Sequence, residues 1–294
     1  MGLQRLYFLT SSLILLFPYL KKLFNYFIFG NIYIAIAAAC LTLETQLLLG
    51  YKFQTDASVF LVFFSTLFVY NISRLQVFLG KQTFKWLLFN NTVYSLTTIG
   101  ALLGLLVSMF LIELRMFVIM IPLALVSLGY SIRLRGIPGL KIFLISMVWG
   151  IVTVFIPVLK NDGNFLDVNI LLLLIRRMLF VFAITIPFDI RDRAEDAIDN
   201  LKTIPGLLGE KKSKAIALGA LVLFIIALFM HYRYEIQEWR IGLQKDTLPL
   251  LISAIVAGYF ILKSSVSKNN YYYLVILDGT MILQFLLVYF FLKW

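Results

Sequence analysis

The chain has 294 residues, 61% of them hydrophobic and 14% charged, with a formal charge of +11 and a mean hydropathy of +0.93. These values exclude a soluble globular domain and indicate a polytopic membrane protein, and no polar stretch is long enough to fold as a separate domain. Cys40 is the only cysteine and lies in an apolar run, which excludes an intramolecular disulfide.

From the N-terminus, an apolar run follows Arg5 and is closed by Lys21 and Lys22 with no small-residue cleavage site. Residues 1–22 therefore read as an interfacial or re-entrant helix rather than a signal peptide. Residues 23–294 read as one transmembrane domain. Windows long enough to cross about 30 Å of hydrocarbon predict nine spans, near 24–49, 57–79, 86–108, 112–131, 138–159, 166–188, 213–231, 247–263 and 271–292. Neither an internal repeat nor a low-complexity tract is evident.

Lysines and arginines test this arrangement. With the N-terminus inside, the inner segments carry 17 of them and the outer segments 7, while Arg176 and Arg177 fall within a span. The asymmetry places the N-terminus and the polar motifs on the cytoplasmic face, with a cell inner membrane as the expected location. The excess positive charge then serves topology and anionic lipid headgroups, and it gives no reason to invoke nucleic acid.

The chain is poor in acids, yet Asp189, Asp192, Asp196 and Asp199 recur at intervals of three, four and three residues. On a helix they fall within roughly 80° of one another. Four like charges on one face repel, so the cluster calls for water, arginines or a hard divalent cation. A metal or phosphate site follows as the expectation.

The Asp192-x-x-x-Asp196 pattern lies behind the sixth predicted span and is followed by Lys202-Thr203-Ile204-Pro205 and Leu208-Gly209. It resembles the second aspartate-rich motif of the UbiA superfamily of membrane prenyltransferases. The resemblance covers the chain from about residue 23. It implies an all-α fold of nine transmembrane helices bundled around a central cavity open to the cytoplasmic side. The implied reaction transfers an isoprenyl group from a polyprenyl diphosphate to a lipophilic acceptor, assisted by Mg2+. In that reading Asp189, Asp192 and Asp196 are the catalytic acids, with Asp192 and Asp196 as metal ligands. Magnesium suits such a site because it is usually held by one or two carboxylates together with phosphate oxygens and water. Aromatic residues, 16% of the chain, are available to line a dry pocket, although lipid-facing packing accounts for most of them.

The sequence departs from the family at the first aspartate-rich motif, which typically reads Asn-Asp-x-x-Asp-x-x-x-Asp. Asn71 stands at its asparagine, but Ile72, Leu75 and Leu79 occupy the three aspartate positions. Half of the implied metal cage is thus absent. Arg74, beside the vacated positions, is expected to contact diphosphate directly, to pair with Asp189 or Asp192, or to act as a plain cytoplasmic anchor. After the fourth span, the stretch from Tyr130 through Arg133 and Arg135 to Lys141 resembles the family's loop of tyrosine and basic residues. The expected diphosphate-binding set is therefore Asn71, Arg74, Tyr130, Arg133, Lys141 and Lys202.

Other polar positions are less specific. Arg176 and Arg177 imply either that the sixth helix begins late or that one of them faces a cavity. Asn90 and Asn91 are expected as interhelical glue, Asp278 as an intramembrane acid that is either protonated or paired, and Pro187 as a turn that points Asp189 and Asp192 inward. Two alternatives stand beside the enzyme. One is a non-catalytic relative that binds a phosphorylated lipid or a partner protein, and the other, weaker for want of related halves, is a secondary transporter.

Overall fold

A computed structural model of the chain describes residues 18–80, 91–118, 120–123, 139–198, 201–233 and 238–293. In chain order the helices are α1 (Pro18–Phe29), α2 (Ile32–Leu48), α3 (Ala57–Gly80), α4 (Asn91–Phe110), α5 (Leu114–Leu123), α6 (Leu140–Lys160), α7 (Val168–Ile198), α8 (Ile204–Phe229), α9 (Thr247–Lys263) and α10 (Tyr272–Lys293). The fold is all-α except for a short antiparallel hairpin, β1 (Met230–Arg233) with β2 (Glu238–Ile241), paired Met230 to Ile241.

Helices α6, α7, α8 and α10 are long and apolar enough to cross a bilayer, and α1 with α2 form a fifth such unit broken by a 56° bend. Shorter apolar helices lie within the other predicted windows. Large apolar side chains point outward, among them Phe110, Leu114, Ile121 and Leu223, the pattern of a surface solvated by lipid.

Lipid tails are as apolar as a helix surface, so association depends on close packing and interhelical polar contacts. Small buried residues supply the close approach: Ala35, Ala37 and Ala38 on α2, Ala217 and Ala220 on α8, and Ala254 and Ala257 on α9. Successive helices α6, α7, α8, α9 and α10 pack each on the next. Helix α2 closes the ring by packing on both α10 and α6, while α3 and α4 are added outside α2. Phe180 of α7 and Phe224 of α8, with ring centroids 5.7 Å apart, are among the largest fully buried side chains.

The break between α1 and α2 has a local cause. Gly30 donates its amide to the Tyr26 carbonyl at 2.8 Å, and a Cβ on it would lie 2.3 Å from that same oxygen. Asn31 follows in the left-handed conformation at φ 63°, which asparagine tolerates better than most residues. Its Nδ2 donates to Asn71 Oδ1 on α3 at 2.8 Å, so the turn is tied to the helix that carries the first motif position.

Three expectations are corrected. The sixth helix does not stop near residue 188 but continues through Pro187 to Ile198, so Asp189, Asp192 and Asp196 lie on α7 itself and Pro187 makes no turn. Pro187 and its neighbours Ile184 and Ile186 are buried, and interior packing carries the helix past the lost hydrogen bond. The seventh helix starts at Ile204 and yields at Met230 to the hairpin. Arg176 and Arg177 do not mark a late helix start, because α7 begins at Val168.

Candidate functional site

The acidic segment ends one helix and leads into the next. Thr203 caps α8 by accepting from the Gly206 amide at 3.3 Å, with Pro205 in the first turn, where a missing N–H costs nothing. Gly209 then breaks the helical path at φ 78°, and Ser213 Oγ donates back to its carbonyl at 2.8 Å. The Thr-Ile-Pro and Leu-Gly elements are thus a cap and a bend that set the start of α8. Leu201 N donates to the Asp196 carbonyl at 2.8 Å across the connection.

On α7 the helical spacing brings Asp189, Asp192 and Asp196 together, and the helix next to it supplies a cation. Lys141, in the first turn of α6, places Nζ 2.6 Å from Asp189 Oδ1. That carboxylate is 1% exposed. A buried carboxylate needs such a charged partner. Asp192 and Asp196 also lie within Coulomb reach of Lys141, and Asp196 is buried.

Arg191 completes the cluster. Its Nε and Nη2 donate to Asp192 Oδ1 and Oδ2 at 2.6 and 3.0 Å, a two-pronged contact that favours guanidinium over ammonium. The same guanidinium lies over the rings of Phe188 and Tyr273, 5.2 and 5.3 Å from their centroids, within cation–π range. The ring of Tyr273 is anchored in turn, its hydroxyl donating to the Ser265 carbonyl at 2.6 Å.

The remaining expected residues are distributed as follows. Asn71 is fully buried, its Oδ1 engaged by Asn31 and its backbone carbonyl by the hydroxyl of Tyr94, while its Nδ2 has no hydrogen-bond partner. Lys202 is exposed in the connection between α7 and α8. Tyr130, Arg133, Arg135, Asn90 and Asp199 lie outside the described residues, as do the side chains of Arg74 and Asn91. Asp278 is buried.

Further along α7 the structure brings together residues that sequence reasoning left apart. Arg177 donates to Glu44 at 3.3 Å, to the Leu41 carbonyl at 3.3 Å and to Thr45 Oγ1 at 3.4 Å. Arg176 Nη1 stands 3.5 Å from Asp246. Both arginines are thus paired with acids inside the bundle, beside a void of only about 10 Å³ that they line with Glu44 and Gln284. Glu44, an acid inside an apolar window, was the signal for this partner; Arg191, counted only among inner positive charges, had none beyond its place between two acids.

The sequence of residues 87–273, more than half of the chain, matches the UbiA prenyltransferase family. The chain belongs to that family. The matched UbiA region includes Lys141 and the whole acidic segment and begins after Asn71. Solved UbiA structures share the fold. An apo UbiA homolog from Aeropyrum pernix K1 superposes with a TM-score of 0.63 at 16% identity, covering 88% of this chain and 98% of its own. A UbiA homolog from Archaeoglobus fulgidus, bound to GPP and Mg2+, gives 0.59 at 13% identity with 90% and 100% covered. Digeranylgeranylglyceryl phosphate synthase gives 0.53 at 19% identity with 93% and 98% covered. No curated protein matches the chain in sequence.

Proposed function

We propose that this UbiA-family protein is an intramembrane prenyltransferase that moves an isoprenyl group from a polyprenyl diphosphate to a lipophilic acceptor. In this reading the chain crosses the bilayer nine times, and the acidic end of α7 opens to the cytoplasm with the N-terminus. One observation carries the proposal: the three aspartates, Lys141 and Arg191 make one mixed-charge cluster at the end of a membrane helix, within the segment that matches the family.

The donor set accommodates one magnesium. Among the described residues no three His, Cys, Asp or Glu side chains form a ready cage, and Asn71 has already committed its carbonyl oxygen to Asn31. Magnesium needs only one or two carboxylates when phosphate oxygens and water complete its octahedron. Asp192 and Asp196, one turn apart on α7, would hold it, with Asp189 supporting them. The ion, when bound, supplies positive charge to a departing diphosphate. That the homolog from Archaeoglobus fulgidus carries GPP with Mg2+ supports this assignment.

The chain's own residues do the rest. Lys141 offers an ammonium to the phosphates from the mouth of α6, and Arg74, Tyr130, Arg133 and Lys202 are assigned to orient the same group, with Asn71 contributing its amide N–H. Departure of the diphosphate leaves positive charge on the allylic carbon, and the acceptor's nucleophilic atom takes that carbon as its proton leaves.

The test is product formation by purified protein supplied with labelled prenyl diphosphate, membrane extract and magnesium. Product that disappears on Asp192→Ala and Asp196→Ala is the expected outcome, and unchanged diphosphate binding in both variants refutes the mechanism. A second reading, a non-catalytic binder of phosphorylated lipid, draws on the fact that Asp189 and Asp192 are already neutralised by Lys141 and Arg191. Magnesium-dependent diphosphate binding with no product from any extract selects it.

A further inference from the structure

Arg191 and a metal ion compete for the same two oxygens. The guanidinium holds both oxygens of Asp192, at 2.6 and 3.0 Å, and Asp192 is one of the two carboxylates available to a cation on that face. A ligating oxygen cannot be fully engaged by an arginine fork and by a hard cation that demands near-ideal octahedral geometry. We propose that Arg191 is an exchangeable counter-ion: it keeps Asp192 neutralised while the site is free, then releases it and turns to the phosphate oxygens when diphosphate and magnesium enter together. The proposal rests on the prenyl diphosphate reading above.

Three features give Arg191 this role rather than that of a permanent structural pair. First, the partners are sequence neighbours on one helix, so the ion pair itself joins no two elements. Second, the guanidinium has a seat independent of Asp192, between Phe188 of its own helix and Tyr273 of α10, and it keeps these ring contacts when the carboxylate leaves. Tyr273 is itself fixed by Ser265. Third, the arginine and its carboxylate are partly exposed, with 23% and 28% of their side-chain surfaces accessible, whereas Asp189 is sealed by Lys141 with 2%. A phosphate can therefore reach Arg191, and the five donors of a guanidinium suit phosphate as well as carboxylate. Asp278 and Asp189 also lie within Coulomb reach of Arg191, so negative charge remains around the cation during the exchange.

The consequence is ordered loading. Magnesium alone meets an occupied carboxylate and binds weakly. Magnesium with diphosphate gives Arg191 a replacement anion, so each ligand raises the affinity for the other, as linkage requires.

Titration calorimetry on the full-length protein in detergent tests this, using Mg2+ alone, inorganic pyrophosphate alone, and a non-hydrolysable prenyl thiolodiphosphate with Mg2+. In Arg191→Met, affinity for Mg2+ alone is expected to rise, and affinity for the thiolodiphosphate with Mg2+ to fall about tenfold, the scale of one charged hydrogen-bonding contact. Arg191→Lys, which keeps the charge and loses the fork, is expected between wild type and Arg191→Met in both titrations. Opposite movement of the two affinities supports the exchange, because loss of a merely structural residue weakens both. Movement in the same direction, or none, overturns it while wild-type diphosphate binding leaves the prenyltransferase reading in place. Absence of diphosphate binding in the wild type overturns both.

Discussion

Helix α7 carries two charged clusters, around Arg177 and Arg191, about 21 Å apart along its axis, and they are built on opposite principles. Near its start, Arg177 reaches α2, where Glu44, Thr45 and the Leu41 carbonyl receive it, and arginine and glutamate are each almost wholly buried. Near its end, Arg191 pairs with its own neighbour Asp192 and stays accessible. The first pair joins two helices and cannot open without tearing the ring. The second is an ion pair within one helix, its guanidinium resting on Tyr273 of α10, and on the proposal above it is free to trade partners. The same two chemical groups thus serve as a fastener in one place and as a reactive edge in the other, and burial together with the identity of the partner helix makes the difference.

The largest effect is expected where the fastener is broken. Arg177→Leu leaves Glu44 charged and unpaired in the interior, a loss of about 3–5 kcal/mol. A steep fall in the thermal midpoint in detergent is the readout, and the double variant Arg177→Met with Glu44→Leu is expected to recover most of it. If the single variant melts like the wild type, the contrast between the clusters collapses.

Next comes the reactive end. Asp192→Ala combined with Asp196→Ala is expected to lower magnesium-dependent diphosphate affinity by about 100-fold, two charged contacts at roughly tenfold each, while the thermal midpoint stays near wild type. Lys141→Met sharpens the comparison because it touches both properties. It removes the cation proposed to bind phosphate and orphans the buried Asp189, so about a tenfold loss of diphosphate affinity and a stability loss of about 1–3 kcal/mol are expected together.

The smallest effect lies away from both clusters. Asp56 stands just before α3, where it accepts from the Ser58 amide at 2.9 Å and from Lys160 and the Ser58 hydroxyl. Partial burial raises its pKa, but these hydrogen bonds outweigh that and hold the carboxyl below its usual value. A depressed carboxylate stabilises the folded form above its unfolded pKa, and the benefit is lost as pH falls through the folded one. Asp56→Asn is therefore expected to cost about 1 kcal/mol at neutral pH, as a weakened cap does, and to converge with wild type in acid. Thermal melts across pH 2–6 read this out.

Much of this was legible from the chain alone. Apolar windows located α6, α7, α8 and α10, and the three-four spacing placed Asp189, Asp192 and Asp196 on one helix because helix periodicity is a local property. The charge partners were less visible. Glu44 and Arg177 are separated by 133 residues, and only ring closure of α2 against its neighbours brings them together. The run of α7 through Pro187 was missed because the local rule that proline stops a helix is overridden when the freed backbone is packed inside a bundle. The hairpin was missed because Met230 and His231 extend an apolar run that hydropathy counts as helix. Arg191 was hidden by its ordinary role as a positive charge at a membrane edge, which a sequence cannot separate from a fork on the adjacent carboxylate.

Helix α10 opens with a π-helical stretch, Tyr272–Leu277, before continuing as ordinary α-helix. Such a stretch is a single surplus residue accommodated without unwinding, and it offsets everything downstream by about 100° around the axis. Asp278, Thr280 and Gln284 are all buried. That one extra link in the chain sets the inward phase of the last helix, so the polarity of the bundle's interior depends on residue number in this stretch as much as on residue identity.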